Sequence, residues 1–238
     1  MSTYAISDLH GFSVKSFEAL LEKAGFSDVD TLYVIGDVVD RNGDGGVELL
    51  LYIKEKANIR FILGNHENML LNCLFLVAAD EEPDPGTFTE EQAKHYDRSM
   101  RNGGRVTINS LRALYKKDPE KALELFDFLR AAPVYERIEC AGRKFLLMHG
   151  GLRGFSKDRS LEDYPVHDLV WERPKLEDEY FDDVTTVFGH TPTLYYGDEH
   201  RGKVIVTKTW INIDVGAADM LPPALVRLDD LAVFYGEW

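Results

Sequence analysis

The sequence predicts an α/β fold with two mixed β-sheets sandwiched by helices. Two observations carry this. In the first third, short β-rich runs alternate with stretches of helical spacing, an order that builds a mostly parallel sheet covered by helices. In the last part, short β-rich runs follow one another with little helix between them, which predicts a second, more antiparallel sheet. The 238 residues suit one large α/β domain spanning 1–238, and the 45% apolar content supplies a sizeable core.

Taken in order, residues 3–6 are a short apolar run and read as the first strand. Residues 13–24 carry Val14, Phe17, Leu20 and Leu21 at helical spacing, with Ser13 as N-cap. Residues 31–35 form a second strand that stops at Gly36; 47–56 form a helix; 59–63 form a third strand that stops at Gly64. Residues 68–79 read as an apolar helix, and the acidic, proline-containing stretch 80–91 as an exposed loop. Two more helices are predicted over 99–116 and 119–131, the second opened by Asp118-Pro119. This helical insertion, about 80–131, is placed to cover one edge of a site. Strands follow over 134–140, 144–148, 185–188, 203–206, 210–213, 224–228 and 232–235. The acidic cluster 177–183 reads as a solvated face.

Composition excludes several functions. A formal charge of −14 argues against nucleic acid or an anionic membrane as partner, because both require basic patches. No apolar run reaches the roughly 18 residues of a membrane span, and the N-terminal residues lack the basic and apolar segments of a signal peptide. Cys73 and Cys140 lie far apart in apolar surroundings and read as buried, reduced thiols, so a cytoplasmic location is expected.

The chemistry gathers where apolar strands stop. Asp8-Leu9-His10-Gly11, Gly36-Asp37-Val38-Val39-Asp40-Arg41, Gly64-Asn65-His66-Glu67, His149-Gly150-Gly151 and Gly189-His190-Thr191 each follow a strand. In open α/β sheets ligands bind beyond the carboxyl ends of strands, so these polar residues share one cleft. Any one motif alone reads as a turn or a helix cap. No structural need places an Asp, His, Asp, Asn, His and His together at successive strand ends.

The ordered set resembles the phosphoprotein phosphatase family, whose fold is the calcineurin-like metallophosphoesterase fold. The residues 101–104 (Arg-Asn-Gly-Gly) and 189–192 (Gly-His-Thr-Pro) are similar to its bacterial and phage branch. The resemblance implies two divalent metal ions, manganese first and iron or zinc as alternatives, since imidazole and carboxylate suit these metals. It implies that Asp8, His10 and Asp37 hold one ion, that Asp37, Asn65, His149 and His190 hold the other, and that Asp37 is shared. A water acidified between two such ions, about 3.5–4 Å apart, would attack phosphorus in line. The ions would also supply the positive charge that an acidic chain lacks. Arg41, Arg173 and Asn65 would bind the substrate phosphate, the arginines by bidentate hydrogen bonds. His66 would be the general acid, oriented by Asp40, and Asp214 would support a ligand or form a turn.

The family pattern is not matched everywhere. Ser7 stands for a glycine, and Asn42-Gly43-Asp44-Gly45-Gly46 follows Arg41 where the family has Gly and then Pro. Those glycines imply a mobile loop and an altered setting for Arg41. The expected activity is a serine/threonine protein phosphatase acting on a phosphorylated protein or small phosphoester. A symmetrical bis(5'-nucleosyl)-tetraphosphatase with the same metal core is the alternative, and a non-catalytic scaffold the third reading.

Overall fold

The computed structural model describes residues 1–78 and 84–238. Its strands and helices follow in the order β1 (Thr3–Ile6), α1 (Val14–Lys23), β2 (Thr31–Ile35), α2 (Val47–Lys54), β3 (Ile59–Ile62) and α3 (Asn65–Leu71). Then come α4 (Glu90–Arg101), α5 (Arg105–Lys117), α6 (Pro119–Ala131), β4 (Tyr135–Cys140), β5 (Arg143–Met148) and α7 (Val166–Val170). The chain ends with β6 (Thr185–Phe188), β7 (Ile205–Val206), β8 (Trp210–Asn212), β9 (Ala224–Arg227) and β10 (Ala232–Tyr235).

These strands form two mixed sheets, in the orders β10-β9-β1-β2-β3 and β4-β5-β6-β8-β7. In the first, β1, β2 and β3 run parallel, with Thr3 opposite Thr31 and Leu32 opposite Ile59, while β9 and β10 join antiparallel at the β1 side. Parallel neighbours need a crossover, which α1 and α2 supply. Both sheets are mixed as expected, but the second is no more antiparallel than the first, which corrects that part of the expectation. The centre of the second sheet is the parallel set β5, β6 and β8, flanked by antiparallel β4 and β7. The predicted strands 224–228 and 232–235 also belong to the first sheet. Which neighbour a strand pairs with depends on contacts distant in sequence, and a short β-rich run carries no record of them.

Alternation along each strand sorts the core into layers. Ala5, Tyr33, Ile35 and Ile62 point from the first sheet to meet Phe145, Leu147, Val187 and Ile211 of the second. The opposite face of the first sheet, with Tyr4, Ile6, Leu32 and Val34, packs on Phe17, Leu20, Leu49, Leu50, Leu111, Leu125 and Leu129 from the helices. Leu146, Met148, Phe188 and Trp210 fill the outer face of the second sheet. Each such side chain taken from water contributes about 1.5–3 kcal/mol.

Helix ends refine the expected boundaries. Ser13 caps α1 by accepting from the Ser16 N–H, as its sequence position predicts. The helix expected over 68–79 starts at Asn65, ends at Leu71 and gives way to a 3₁₀ turn at Leu74–Leu76; its last residue lies outside the described residues. The helix expected over 99–116 is broken instead into α4 and α5. Gly103 takes φ +90 there, and the Gly104 N–H turns back to the Ser99 carbonyl. Cys73 is buried and free, whereas Cys140 is only half-buried. Among the described residues no helix is long and apolar enough to cross a membrane.

Candidate active site

The parallel strands end on one cleft. Asp8 and His10 follow β1, Asp37, Asp40 and Arg41 follow β2, and Asn65 and His66 follow β3. From the other sheet His149 follows β5, His190 follows β6 and Asp214 follows β8. Asp8, His10, Asp37, Arg41, Asn65, His66, Arg173, His190 and Asp214 line a cavity of about 110 Å³. His149 lies beneath it, fully buried, 3.2 Å from Asp37 Oδ2. The sequence-predicted residues are therefore assembled in one place.

The histidine rings are aimed by their neighbours. His10 Nδ1 donates to the Val39 carbonyl at 2.9 Å, and His149 Nδ1 donates to the Ile35 carbonyl at 2.9 Å. Each such bond leaves Nε2 as the free face of the ring. His10 Nε2 stands 3.8 Å from Asp37 Oδ2. His149 Nε2 stands 2.8 Å from Asn65 Oδ1 as well as 3.2 Å from Asp37. With Nδ1 carrying its proton, all three of these atoms offer lone pairs. Only a cation among them, a second proton or a metal ion, makes the cluster attractive. His190 Nε2 meets the Trp171 carbonyl at 3.2 Å, which turns Nδ1 to the cleft.

Two triplets of donors within 4.8 Å of one another share Asp37: His10, Asp37 and His66, and Asp37, His149 and His190. Nitrogen and oxygen donors buried in two adjoining triplets fit a pair of first-row divalent ions. Asp8 is in neither triplet, but its carboxylate faces the same cleft and accepts from the His190 N–H at 2.9 Å. His66 Nδ1 is bonded to Asp40 Oδ2 at 2.7 Å, so only its Nε2 faces Asp37, at 3.8 Å. Asp214 accepts from the Gly216 N–H, and no histidine among the described residues bonds to its carboxyl. It shapes a turn in the wall of the cleft.

Crowded charge leaves its mark on protonation. Burial, with the neighbouring Asp37 charge, pushes Asp8 up to about 6. Burial and then Asp8 hold Asp214 far above the carboxylate range. Burial alone would also raise Asp37, but the surrounding histidines, His149 foremost, hold it well below its ordinary value. Burial disfavours charge on His149, yet Asp37 lifts it to about 10. Burial and the His149 charge drive His190 down to about 2. Each of these groups seeks a cation or sheds its own charge.

Backbone strain concentrates here too. Asp8, His10, Asp37, Asp40, Arg41 and His190 all have positive φ without being glycine. Such residues cost about 1–3 kcal/mol each and persist only where their surroundings fix them. Glu67 does this for the turn after β2. Its buried carboxylate accepts from the N–H groups of Asp37, Val38, Val39 and Gly64.

The loop after Arg41, expected to be mobile, is pinned instead. Asp44 accepts from the Gly46 and Glu48 N–H groups, and Asn42 Nδ2 donates to the Ala218 carbonyl. The Arg41 N–H donates to the Gly103 carbonyl at the α4–α5 break. Arg173 is exposed at the rim, 5.4 Å from the Tyr195 ring. Sequence reasoning missed Asn102, Trp171 and Tyr195 as lining residues, and Thr107 behind Asp40.

Five strands, β1, β2 and β3 of one sheet and β5 and β6 of the other, end on adjoining nitrogen and oxygen triplets and define a metallophosphoesterase-type hydrolase site. The calcineurin-like phosphoesterase family matches residues 1–221, and the chain belongs to that family. Proteins of this family work with dinuclear divalent metal centres. The chain is 44% identical over 73 residues to the symmetrical bis(5'-nucleosyl)-tetraphosphatase of Salmonella paratyphi B. That match covers 30% of this chain and 25% of the relative. In fold it is similar to a candidate diadenosine tetraphosphatase, with TM-score 0.63 and 19% identity, covering 100% of this chain and 94% of the other. It is similar also to a protein serine/threonine phosphatase from Saccharomyces cerevisiae, with TM-score 0.60 and 15% identity over 100% and 80%.

Proposed function

We propose that this chain hydrolyses phosphoserine or phosphothreonine esters on proteins, taking the phosphoryl group into the cleft and leaving the rest of the substrate outside. The size of the cleft carries this reading. Its volume of about 110 Å³ and its polar lining contrast with the apolar pockets of about 300–1,000 Å³ that engulf small molecules.

In this reading Asp8, His10 and Asp37 hold one divalent ion, and Asp37, Asn65, His149 and His190 hold the second, manganese being the first choice. When bound, the pair supplies an acidified water and draws negative charge from the phosphoryl oxygens. Arg41 and Arg173 bind those oxygens from the rim, with Asn65 beneath. His66 holds the proton that the leaving oxygen needs. Its Nδ1 is anchored on Asp40 at 2.7 Å, which leaves Nε2 to deliver that proton. Asp37 and Asp40 raise the basicity of His66 against the opposing effect of burial. A serine alkoxide leaves poorly without a proton, and donation of this kind gives about 10²–10⁴-fold.

A second reading is hydrolysis of a dinucleoside polyphosphate. The identity shared with the Salmonella enzyme supports it. So does Tyr195, 69% exposed beside Arg173 at the cleft, as a face on which a base could stack. Manganese-supplemented assays of phosphopeptides against diadenosine tetraphosphate separate the two. Comparable or better kcat/KM on phosphopeptides is expected; turnover of the dinucleotide alone overturns the first reading.

A further inference from the structure

We propose that Thr107 is a positioning residue for the leaving-group proton, so that α5 belongs to the catalytic apparatus and is more than a cover over it. The inference rests on the reading of His66 as the acid.

Thr107 is completely buried, an unusual place for a hydroxyl. Its Oγ1 donates to Asp40 Oδ1 at 2.6 Å and accepts from the Asp40 N–H at 2.9 Å. The Gly45 carbonyl lies 3.1 Å away, but a hydroxyl has one proton, and the shorter contact to the carboxylate takes it. Asp40 Oδ2 is already occupied by His66 Nδ1 at 2.7 Å. Thr107 therefore fixes the one carboxylate oxygen that His66 does not, and the backbone N–H as well. Rotation of the Asp40 carboxylate would break one bond or the other.

The backbone was shaped for this contact. Asp40 has φ +76, a conformation that a non-glycine residue holds only under constraint. Gly45, in the loop that departs from the family pattern, has φ +73. A Cβ on Gly45 would lie 2.5 Å from Thr107 Oγ1 and 2.6 Å from Thr107 Cα. The glycine thus opens the space through which α5 reaches Asp40. Thr107 shares the buried face of α5 with Ile108 and Leu111, and packing of that face sets the position of the hydroxyl.

The test compares Thr107→Val, which removes the hydroxyl at nearly constant shape, with Thr107→Ser, which keeps it. Manganese-loaded enzyme is assayed on p-nitrophenyl phosphate, whose leaving group needs little proton, and on a phosphoserine peptide. For Thr107→Val, kcat on the peptide should fall about 10- to 100-fold, with the aryl phosphate much less affected. Thr107→Ser should restore the peptide reaction. If Thr107→Val does not fold, Thr107→Ala carries the same comparison. Equal losses on both substrates, or a Ser variant as impaired as Val, overturn the proposal. In a His66→Asn background Thr107→Val should bring no further peptide-specific loss; additive losses also overturn it. His66→Asn alone separates the two levels. Absence of leaving-group dependence there sinks the reading of His66, whereas its presence without an effect of Thr107→Val sinks only the role of Thr107.

Discussion

The two ends of the first sheet carry the same kinds of residue and treat them oppositely. At the amino end, Asp30 precedes β2 and its carboxylate accepts from the Ser2 N–H, the Ser27 N–H and the Ser27 hydroxyl. Asn58, before β3, donates to the Ser27 and Asp30 carbonyls. The Asp30 carboxylate is met by these neutral donors and, at 3.9 Å, by the N-terminal ammonium, and none of these residues has positive φ. At the carboxyl end, Asp8, Asp37 and Asp40 crowd against histidines on strained backbone. One edge is built to hold the sheet together. The other spends stability on a cation site, the usual relation between strain and function.

This contrast can be broken experimentally, and the largest effect concerns metal. Chelation should abolish phosphoester hydrolysis, and manganese should restore it. The same treatment should lower the melting temperature, because ions that bind only the folded state stabilise it. A melting temperature indifferent to chelation would mean that the carboxyl edge needs no cation. Next comes Asp37→Asn, which weakens the donor shared by both triplets. Activity on an aryl phosphate should drop by on the order of 10³-fold, and direct metal titration should show weakened binding. Retention of full metal occupancy would argue against a shared ligand.

Arg41→Gly tests strain directly. Arg41 has φ +72, and a glycine there relieves about 1 kcal/mol while removing the proposed phosphate contact. KM should rise about tenfold or more with no loss of melting temperature. A clear loss of stability would show that the side chain, packed near Gly103, matters more for the fold than for substrate.

The smallest effect belongs to the amino end. Burial would raise the Asp30 carboxyl, but its donors, the Ser2 N–H foremost, hold it below the ordinary value. A lowered folded value means that the stabilisation is present above the unfolded value of about 3.9 and is lost as pH falls through the folded one. Asp30→Ala should therefore cost about 2 kcal/mol at neutral pH, leave kcat/KM unchanged, and approach the parent in stability at an acidic pH well below about 3.9. Denaturant melts at both pH values check this, and a loss of activity without a loss of stability would erase the distinction between the two ends.

What the sequence made legible follows the same division. The motifs at Asp8, Asp37, Asn65, His149 and His190 stand out because each polar cluster interrupts an apolar run at a strand end, a local signal. Strand positions were readable for the same reason. Partnering was not: β9 pairs with β1 across most of the chain length, and β10 joins the sheet through β9. The break between α4 and α5 hid within a run of helix-forming residues, where Gly103 and Gly104 alone marked it. Thr107 left only a faint signal, a hydroxyl on the stripe otherwise occupied by Ile108 and Leu111. The departure after Arg41 suggested a loose loop, yet the same Asp44 that looked like turn filler supplies the bonds that fasten it. Polar side chains in loops reveal their partners only once the fold brings these near.

The apolar layer between the sheets has a further consequence. Asp8, Asp37 and Asn65 come from one sheet and His149 and His190 from the other, and sheets that stack face to face lie about 10 Å apart. The thickness of Ala5, Ile35, Leu147 and Val187 is therefore a gauge for the distance between the two halves of the proposed donor set. Trimming Leu147 to valine changes no group that touches substrate. It changes the calibration, and ions of different radius are the instrument on which that change can be read.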